Sequence, residues 1–312
     1  MTMVKYYIGI DGGGTKSTVL VSDGRKDLHA FVVSGFNYNS FPKEVIQQNV
    51  TDIRNYLQDH GLDVADCLGI CIGSAGTGNE DAVAFLKETF MEGGFLCRLL
   101  ITGDHVTALK GAFKNACGIL LIAGTGAICY GQTGSGEEPV RAGGFGHLID
   151  DGGSAYAIGR DLLHEVVMEW DGRKEKTILT KAVFAKIGIT SIPEMIAYIY
   201  DKKHTKREIA MIASILTDGE LLALESVQEI LENGAKELVS CVKAVAAQLH
   251  VPEGEQIPLV LAGSTIRKNK VYQDIFAQKL KKELPQIQIV EAGKDAVHGA
   301  VELLMEKIED QK

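Results

Sequence analysis

The stretch "IGIDGGGTKS" at residues 8–17 decides how this chain folds. It partly matches the phosphate-binding P-loop, G-x-x-x-x-G-K-[ST], because Gly9 and Gly14 have the required separation. Thr15, however, stands at the lysine position, and the lysine and serine come one place late. The residues that follow, "STVLVSDG" at 17–24, are mostly β-branched or apolar and end in an Asp-Gly turn. This pattern predicts a strand, whereas a P-loop leads into a helix.

The glycines are therefore predicted to form the bend between two antiparallel strands. This arrangement excludes the helix-dipole geometry of a P-loop. It leaves the backbone N–H groups of a tight glycine turn as the candidate ligands of a phosphate.

The same pattern returns in the second half of the chain. Up to residue 116 the predicted order is three strands, then alternating helices and strands. "GILLIAGTGAICYGQTGSG" at 118–136 then gives a second strand, glycine turn and strand, and the later strands and helices repeat the earlier order. Both halves open with a glycine turn, "DGGGT" at 11–15 and "AGTG" at 123–126. This order predicts a structural duplication.

The duplication predicts two domains. We expect an N-terminal domain over 1–116 and a larger C-terminal domain over 117–294, with a helical insertion at about 174–250. The final helix, about 295–312, is expected to pack back on the N-terminal domain. Two domains that face one another, each with a glycine hairpin, suit a cleft that holds the phosphates of a nucleotide.

Composition narrows the class of protein. The chain has 312 residues and a net charge of −9, which disfavours general binding of nucleic acid. The sequence has no apolar run of the roughly 18–20 residues that a membrane span needs, and its start does not resemble a signal peptide. None of the six cysteines forms C-x-x-C, so we expect reduced, buried thiols and a cytoplasmic protein without membrane contacts.

Six motifs, in this order, carry a resemblance to a known family. They are "GIDGGGTKS" (9–17), "SGFNYNS" (34–40), "ITGDHVTAL" (101–109), "LIAGTGAICYG" (121–131), "GGFGHLIDDGGSAYAIGR" (143–160) and "LAGS" (261–264). The chain resembles the N-acetylglucosamine kinase-like branch of the BadF/BadG/BcrA/BcrD ATPase family, within the sugar kinase, heat-shock protein 70 and actin superfamily. The motifs span most of the chain.

The resemblance implies a fold and an activity. The fold is α/β, with two duplicated ribonuclease H-like (actin-like ATPase) domains, each a mixed sheet with flanking helices, around a nucleotide cleft. The activity is transfer of the γ-phosphate of ATP to the 6-hydroxyl of N-acetylglucosamine, with ATP and Mg²⁺ as cofactors. The resemblance also implies a homodimer and closure of the domains on the sugar.

Roles carry over position by position from the same resemblance. Asp104 is expected to be the catalytic base, and Asp11 to hold Mg²⁺ through water. The phosphate-binding residues are expected to be Gly12, Gly13, Gly14, Thr15, Gly124, Thr125 and Gly126. Gly263 and Ser264 are expected on the adenosine side. The sugar is expected to contact Asn37, Asp104, Gly144, Phe145 and Asp151.

The chain departs from the family at one acidic position. Related sequences commonly read "GDEGS" where this chain has "DDGGS" at 150–154, so Gly152 replaces a glutamate and Asp150 is acidic instead. The selectivity for the sugar is therefore open. Ala127 also stands where some relatives have Ser.

Each candidate residue also has a purely structural interpretation. Asp104 ends a strand and begins a helix, where an aspartate commonly caps the helix N-terminus. Asn37 suits a turn, Phe145 suits packing in a core, and Asp151 suits a cap of the following helix.

Other functions remain open at this point. Within the kinase class the acceptor could be N-acetylmuramate, glucosamine or glucose. Two other classes are an ATPase that activates a reductase and a sugar or nucleotide sensor without catalysis.

Overall fold

The computed structural model describes residues 4–13, 16–38, 40–77, 79–113, 117–134, 139–252 and 254–310. The chain divides into two compact units. Unit 1 comprises Met1–Ala116 and Ala292–Lys312, and unit 2 comprises Cys117–Glu291.

Unit 1 is built on a five-stranded mixed sheet in the order β3-β2-β1-β4-β5. Its strands are β1 (Tyr6–Gly12), β2 (Lys16–Ser22), β3 (Asp27–Ser34), β4 (Cys67–Ser74) and β5 (Arg98–Thr102). Its helices are α1 (Lys43–Asp59), α2 (Glu80–Glu92), α3 (Asp104–Ala112) and α12 (Ala296–Glu309). β1 pairs antiparallel with β2 and parallel with β4, so the prediction of a glycine bend between antiparallel strands is confirmed.

Successive side chains along a strand point to opposite faces of the sheet, and in unit 1 both faces carry apolar side chains. Ile8 and Ile10 of β1 pack in a cluster with buried residues of α1 and α2. Leu20 of β2 and Cys71 of β4 belong to clusters on α12. Helices therefore cover both faces of this sheet, and one of them comes from the end of the chain.

Two glycines let α12 lie close to β1 and α3. A Cβ atom at Gly9 of β1 would overlap the carbonyl oxygen of Val297, and one at Gly299 would overlap the carbonyl oxygen of Thr107 on α3. Lys110 of α3, which is buried, forms an ion pair with Glu306 of α12 at 2.5 Å. The last helix is thus fixed against both β1 and α3.

Unit 2 repeats the sheet of unit 1 in the order β10-β9-β6-β7-β8. Its strands are β6 (Cys117–Ala123), β7 (Ala127–Thr133), β8 (Val140–Gly143), β9 (Ile257–Ala262) and β10 (Ile287–Val290). β6 pairs antiparallel with β7 and parallel with β9, as β1 does with β2 and β4. The two mixed sheets with flanking helices confirm the predicted fold class.

Among the described residues of unit 2, six α-helices lie between β8 and β9 and two lie between β9 and β10. They are α4 (Ala155–Trp170), α5 (Ile178–Ile187), α6 (Ile192–Tyr200), α7 (Lys206–Ile212), α8 (Gly219–Leu222), α9 (Glu225–Ala246), α10 (Ser264–Lys268) and α11 (Lys270–Glu283). One large apolar core joins the sheet to these helices. The long helix α9 packs on β7 and β8 and contacts α4 and α11. It therefore lies against the two strands at one edge of this sheet.

The cysteines are all free thiols, but not all of them are buried. Cys67, Cys71 and Cys129 are buried, Cys97 and Cys241 are partly exposed, and Cys117 is exposed at the start of β6. The expectation of uniformly buried thiols is therefore wrong for three of the six. A strand-like sequence shows only that alternate residues are covered, and strand ends reach the surface.

Within the part of the chain that the structure describes, no single helix is long and apolar enough to cross a membrane. The pair α5 and α6, bent by 46°, passes that test by length and composition only.

Candidate active site

The first glycine turn lies between β1 and β2 in unit 1. Gly12 pairs with Ser17 at the end of the hairpin, and the N–H of Gly13 bonds to the carbonyl oxygen of Asp11 at 3.2 Å. A Cβ atom at Gly12 would lie 2.7 Å from Cβ of Ser74, which ends β4. Glycine is required here because the neighbouring strand comes so close. The predicted phosphate ligands Gly14 and Thr15 lie outside the described residues.

Asp11 is a largely buried carboxyl group at this turn. Burial and, to a smaller extent, the nearby charges of Asp104 and Asp295 together raise its pKa from 3.8 to about 6. A carboxylate in such surroundings favours a proton or a cation. Magnesium prefers oxygen ligands and commonly keeps several waters beside one or two carboxylates. The charge environment of Asp11 therefore fits the ion, although among the described residues no three or more His, Cys, Asp or Glu form a complete metal cluster.

Asp104 begins α3 directly after β5. The N-cap position belongs to Gly103, which makes no side-chain cap bond, so the alternative that Asp104 caps this helix is wrong. Its Oδ1 accepts the N–H of His105 at 2.9 Å, and 43% of its side chain is exposed. The carboxylate lies at the positive end of a helix and remains accessible to a substrate.

The position of Asp104 is set by the packing of α3 on β4. Thr107 is fully buried, and its hydroxyl bonds to the carbonyl oxygen of Asp104 at 3.0 Å. A Cβ atom at Gly73 of β4 would overlap the side chain of Thr107. The first turn of α3 is therefore held against the strand next to β1, which carries Asp11.

Asp295 was missed by the sequence analysis. It caps α12 by accepting the N–H of His298 at 3.1 Å, and it also contacts Nδ1 of that histidine at 2.5 Å. Nε2 of His298 bonds in turn to Asp27 of β3 at 2.9 Å. The only signal in the sequence was an aspartate before a helical pattern, which is too common to single out.

Asn37 lies in the loop that follows β3. Its carbonyl oxygen accepts the N–H groups of Ser40 and Phe41, which makes it a turn residue. The side chain of Asn49 on α1 donates to the carbonyl oxygens of Ser34 and Gly35 at 3.1 Å each. The loop is thus fixed from beneath, and the sugar contact of Asn37 stays a prediction.

The second glycine turn lies between β6 and β7 in unit 2, at the position equivalent to the first. Its carbonyl oxygens are tied to the start of α4, because the N–H of Ala155 bonds to Gly124 at 2.8 Å and that of Tyr156 to Thr125 at 3.3 Å. The N–H of Gly124 bonds to Gly126 across the turn at 2.9 Å. The turn is therefore rigidly supported by a helix N-terminus.

The predicted adenosine-side turn contacts this second glycine turn. Gly263 has a φ of 89°, and a Cβ atom there would overlap the backbone of Ala123. The hydroxyl of Thr265 donates to the carbonyl oxygen of Gly124 at 2.9 Å. Gly263 and Ser264 are thus brought together with Gly124, and Thr265 is an additional residue that the sequence did not indicate.

Asp151 is buried beneath the same turn. Its Oδ1 accepts the N–H of Ala127 at 3.3 Å, and a Cβ atom at Gly126 would lie 2.9 Å from its Oδ2. Its φ of 65° is left-handed, which is strained for a residue with a side chain. The N-cap of α4 is Ser154, whose hydroxyl accepts the N–H of Ala157, so the cap alternative for Asp151 is wrong. Its sugar contact stays a prediction.

Gly144 and Phe145 lie in the loop after β8. A Cβ atom at Gly144 would overlap the side chain of Ile128 on β7, so the start of the loop packs directly on that strand. Phe145 itself is 65% exposed, so the alternative of core packing is wrong. An exposed ring on a fixed loop base can contact a ligand.

The space beside Gly152, where the family resemblance implies a glutamate, is occupied by α9. A Cβ atom at Gly152 would lie 2.9 Å from Cβ and Cγ of Glu237. Gly153 likewise approaches the carbonyl oxygen of Gly234. An acidic side chain from another element therefore stands next to the altered position, which no local motif could have shown.

The repeated sheets and their two glycine turns define a protein of the actin-like ATPase fold class. The chain belongs to the BadF/BadG/BcrA/BcrD ATPase family, because the sequence model of that family matches residues 8–303.

Curated relatives agree with this assignment over nearly the whole chain. The N-acetylmuramic acid/N-acetylglucosamine kinase of Clostridium acetobutylicum is 32% identical over 96% of this chain and 97% of its own length. The N-acetyl-D-glucosamine kinase of Dictyostelium discoideum is 28% identical over the same shares of the two chains.

Solved structures agree in fold. A Chromobacterium violaceum protein, provisionally named an N-acetylglucosamine kinase, has a TM-score of 0.80 at 22% identity and covers 97% of this chain and 99% of its own. A glucokinase of the ROK family from Streptomyces griseus, solved with glucose and AMPPNP, has a TM-score of 0.58 at 16% identity and covers 96% and 98%.

Proposed function

We propose that this protein is an ATP-dependent amino-sugar kinase that transfers the γ-phosphate of Mg·ATP to the 6-hydroxyl of N-acetylglucosamine. The observation that carries the proposal is the position of Asp104. It is an accessible carboxylate at the first residue of α3, it does not cap the helix, and its charge acts on Asp11. The names of the two curated relatives support the choice of substrate.

Asp104 acts as the general base. Phosphoryl transfer needs mainly positioning and stabilisation of charge, together with a group that accepts the proton of the attacking hydroxyl. A carboxylate within hydrogen-bonding reach of the sugar hydroxyl accepts that proton as the new O–P bond forms. The packing of Thr107 against Gly73 keeps the carboxylate in place.

The two glycine turns bind the phosphates of ATP. The residues proposed for this role are Gly12 and Gly13 in the first turn and Gly124, Thr125 and Gly126 in the second. Gly263 and Ser264 contact the adenosine side. Asp11 would hold Mg²⁺ through water, and the ion would supply neutralisation of charge on the phosphates.

Asn37, Gly144, Phe145 and Asp151 contact the sugar. Asn37 offers an amide that both donates and accepts hydrogen bonds, which suits sugar hydroxyls. Phe145 offers an apolar surface. N-acetylmuramate is the second candidate substrate, because the Clostridium acetobutylicum relative is named for both sugars.

The proposal extends to the cellular location and the oligomeric state of the protein. All six cysteines are free, which supports a reducing, cytoplasmic location. We propose a homodimer, which size-exclusion chromatography with light scattering tests.

A coupled assay of ADP release over a panel of sugars tests the function. The panel contains N-acetylglucosamine, N-acetylmuramate, glucosamine and glucose. Release that depends on an N-acetylated amino sugar supports the proposal, whereas release independent of every sugar points to a reductase-activating ATPase. ATP binding without any release points to a sensor.

A substitution at Asp104 tests the mechanism. Asp104→Asn is expected to lower kcat by roughly 10²–10⁴-fold, which is the usual contribution of a general base. Asp81→Asn is a matched control, since Asp81 is an exposed acidic residue in the first turn of α2 in the same unit. Equal turnover by Asp104→Asn and the parent protein, with unchanged melting temperature, contradicts the role of Asp104.

A further inference from the structure

We propose that Arg141 and Asp150 are positioning residues that hold the ring of Phe145 as a platform for the sugar. This inference rests on the proposed function and gives a role to two residues for which the family resemblance implied none.

Phe145 needs external support because its own backbone has little stiffness. Gly143, Gly144 and Gly146 surround it with φ values of 77°, 75° and 98°. Glycine adopts this left-handed region at no steric cost, but it also leaves many alternative conformations open to the chain. A mostly exposed ring on such a segment is not held in one orientation by burial in the core.

Arg141 supplies the support on one side. Its Nε donates to the carbonyl oxygen of Gly143 at 3.1 Å, and its Nη2 donates to that of Gly144 at 3.2 Å. The guanidinium carbon lies 4.2 Å from the centroid of the Phe145 ring. The planar fork of arginine is pre-organised for two such bonds and can stack on an aromatic face at the same time. One side chain therefore fixes two carbonyl groups and the ring that follows them.

Asp150 supplies the support on the other side of the loop. Its Oδ2 accepts the N–H of Phe145 at 3.0 Å. Its own N–H bonds to the carbonyl oxygen of Gly146 at 2.8 Å, which closes the intervening residues into a turn. Asp150 thus orders the backbone at Phe145, while Arg141 orders the backbone before it.

The arrangement leaves the ring face opposite Arg141 for the substrate. A sugar ring presents an apolar C–H surface that packs on an aromatic face. Arg141 and Asp150 then affect the binding of sugar through Phe145, without touching the reacting atoms. Losing either residue should weaken sugar binding and spare both the chemical step and the binding of ATP.

Steady-state kinetics with the preferred sugar test the inference. Arg141→Ala is expected to raise the KM for sugar about tenfold, the equivalent of a lost contact of ordinary strength. Its kcat, its KM for ATP and its melting temperature are expected to stay within about twofold or a few degrees of the parent values. Arg160→Ala removes another exposed arginine of unit 2 and should change none of these.

Two comparisons separate positioning from general damage. Asp150→Asn retains an oxygen that accepts the Phe145 N–H, so it should keep the parental KM, whereas Asp150→Ala should not. The double variant Arg141→Ala/Phe145→Ala should bind sugar no worse than Phe145→Ala alone, since residues that act through one another are not additive.

The outcomes are distinct. If the parent protein shows no sugar-dependent turnover, the proposed function fails and this inference fails with it. If the parent protein is active but Arg141→Ala has a parental KM for sugar, or its effect adds fully to that of Phe145→Ala, only the positioning role is overturned.

Discussion

Replacing Asp11 should make unit 1 more stable while removing function. The pKa of this carboxyl rises from 3.8 to about 6, which corresponds to about 3 kcal/mol of unfavourable free energy when the group is ionised in the folded protein. Asp11→Asn removes that cost because an amide carries no charge. At pH 8, without divalent cations, the variant should therefore exceed the parent protein in stability by up to about 3 kcal/mol.

The sign of the pH dependence follows from the same shift. Because the folded state binds the proton of Asp11 more tightly than the unfolded state, the parent protein gains stability from it below pH 3.8. That gain is lost as the pH rises through about 6. The advantage of Asp11→Asn should therefore be full at pH 8, about half as large at pH 5 and small at pH 4.

Hydrogen exchange in urea is the appropriate assay. The single tryptophan, Trp170, belongs to unit 2, so its fluorescence does not report on unit 1. Peptides from β1 and β4 do report on it. Asp59→Asn, which removes an exposed charge at the end of α1, should change stability by at most about 0.5 kcal/mol at either pH. An Asp11→Asn variant that is no more stable than the parent at pH 8, or whose advantage does not vary with pH, would show that ionised Asp11 does not destabilise the folded protein.

Two further predictions concern the docking of α12. Gly299→Ala places a Cβ atom against the carbonyl oxygen of Thr107 and should lower the free energy of unfolding by roughly 2–4 kcal/mol. If the variant has the melting temperature of the parent, α12 can move away from α3 without loss of stability. Burial lowers the pKa of His298, but its bonds to Asp295 and Asp27 outweigh burial and raise it overall. His298→Gln should therefore destabilise the protein at pH 6, and this effect should disappear as the pH rises through the raised pKa. An equal decrease of the urea midpoint at pH 6 and pH 9 would contradict ion pairing of His298 with Asp295 and Asp27.

The sequence predicted the parts of the fold that are local. The strand after the first glycine turn was visible in residues 17–24, because a β-branched run that ends in Asp-Gly has few other interpretations. The second glycine turn at 123–126 lies in the same context. The repeated order of strands and helices then predicted that each unit has its own sheet of the same topology.

The sequence could not predict contacts that join distant segments. Nothing near Gly152 indicates that Glu237 fills the space beside it, because the two meet only through the packing of α9. The support of Phe145 by Arg141 depends on a loop conformation that glycines leave open in sequence. The N-cap alternative for Asp104 was wrong because the exact start of a helix is set by its packing, and here Gly103 takes that position.

The most direct test of the account is the structure of the product. The purified protein is incubated with Mg·ATP and N-acetylglucosamine, and the product is examined by proton–phosphorus correlation NMR. An N-acetylglucosamine 6-kinase gives one phosphate, coupled to the protons on carbon 6, and this signal is expected to be lost with Asp104→Asn. A phosphate on another carbon, or ADP formed together with free inorganic phosphate and unmodified sugar, would contradict the proposed function.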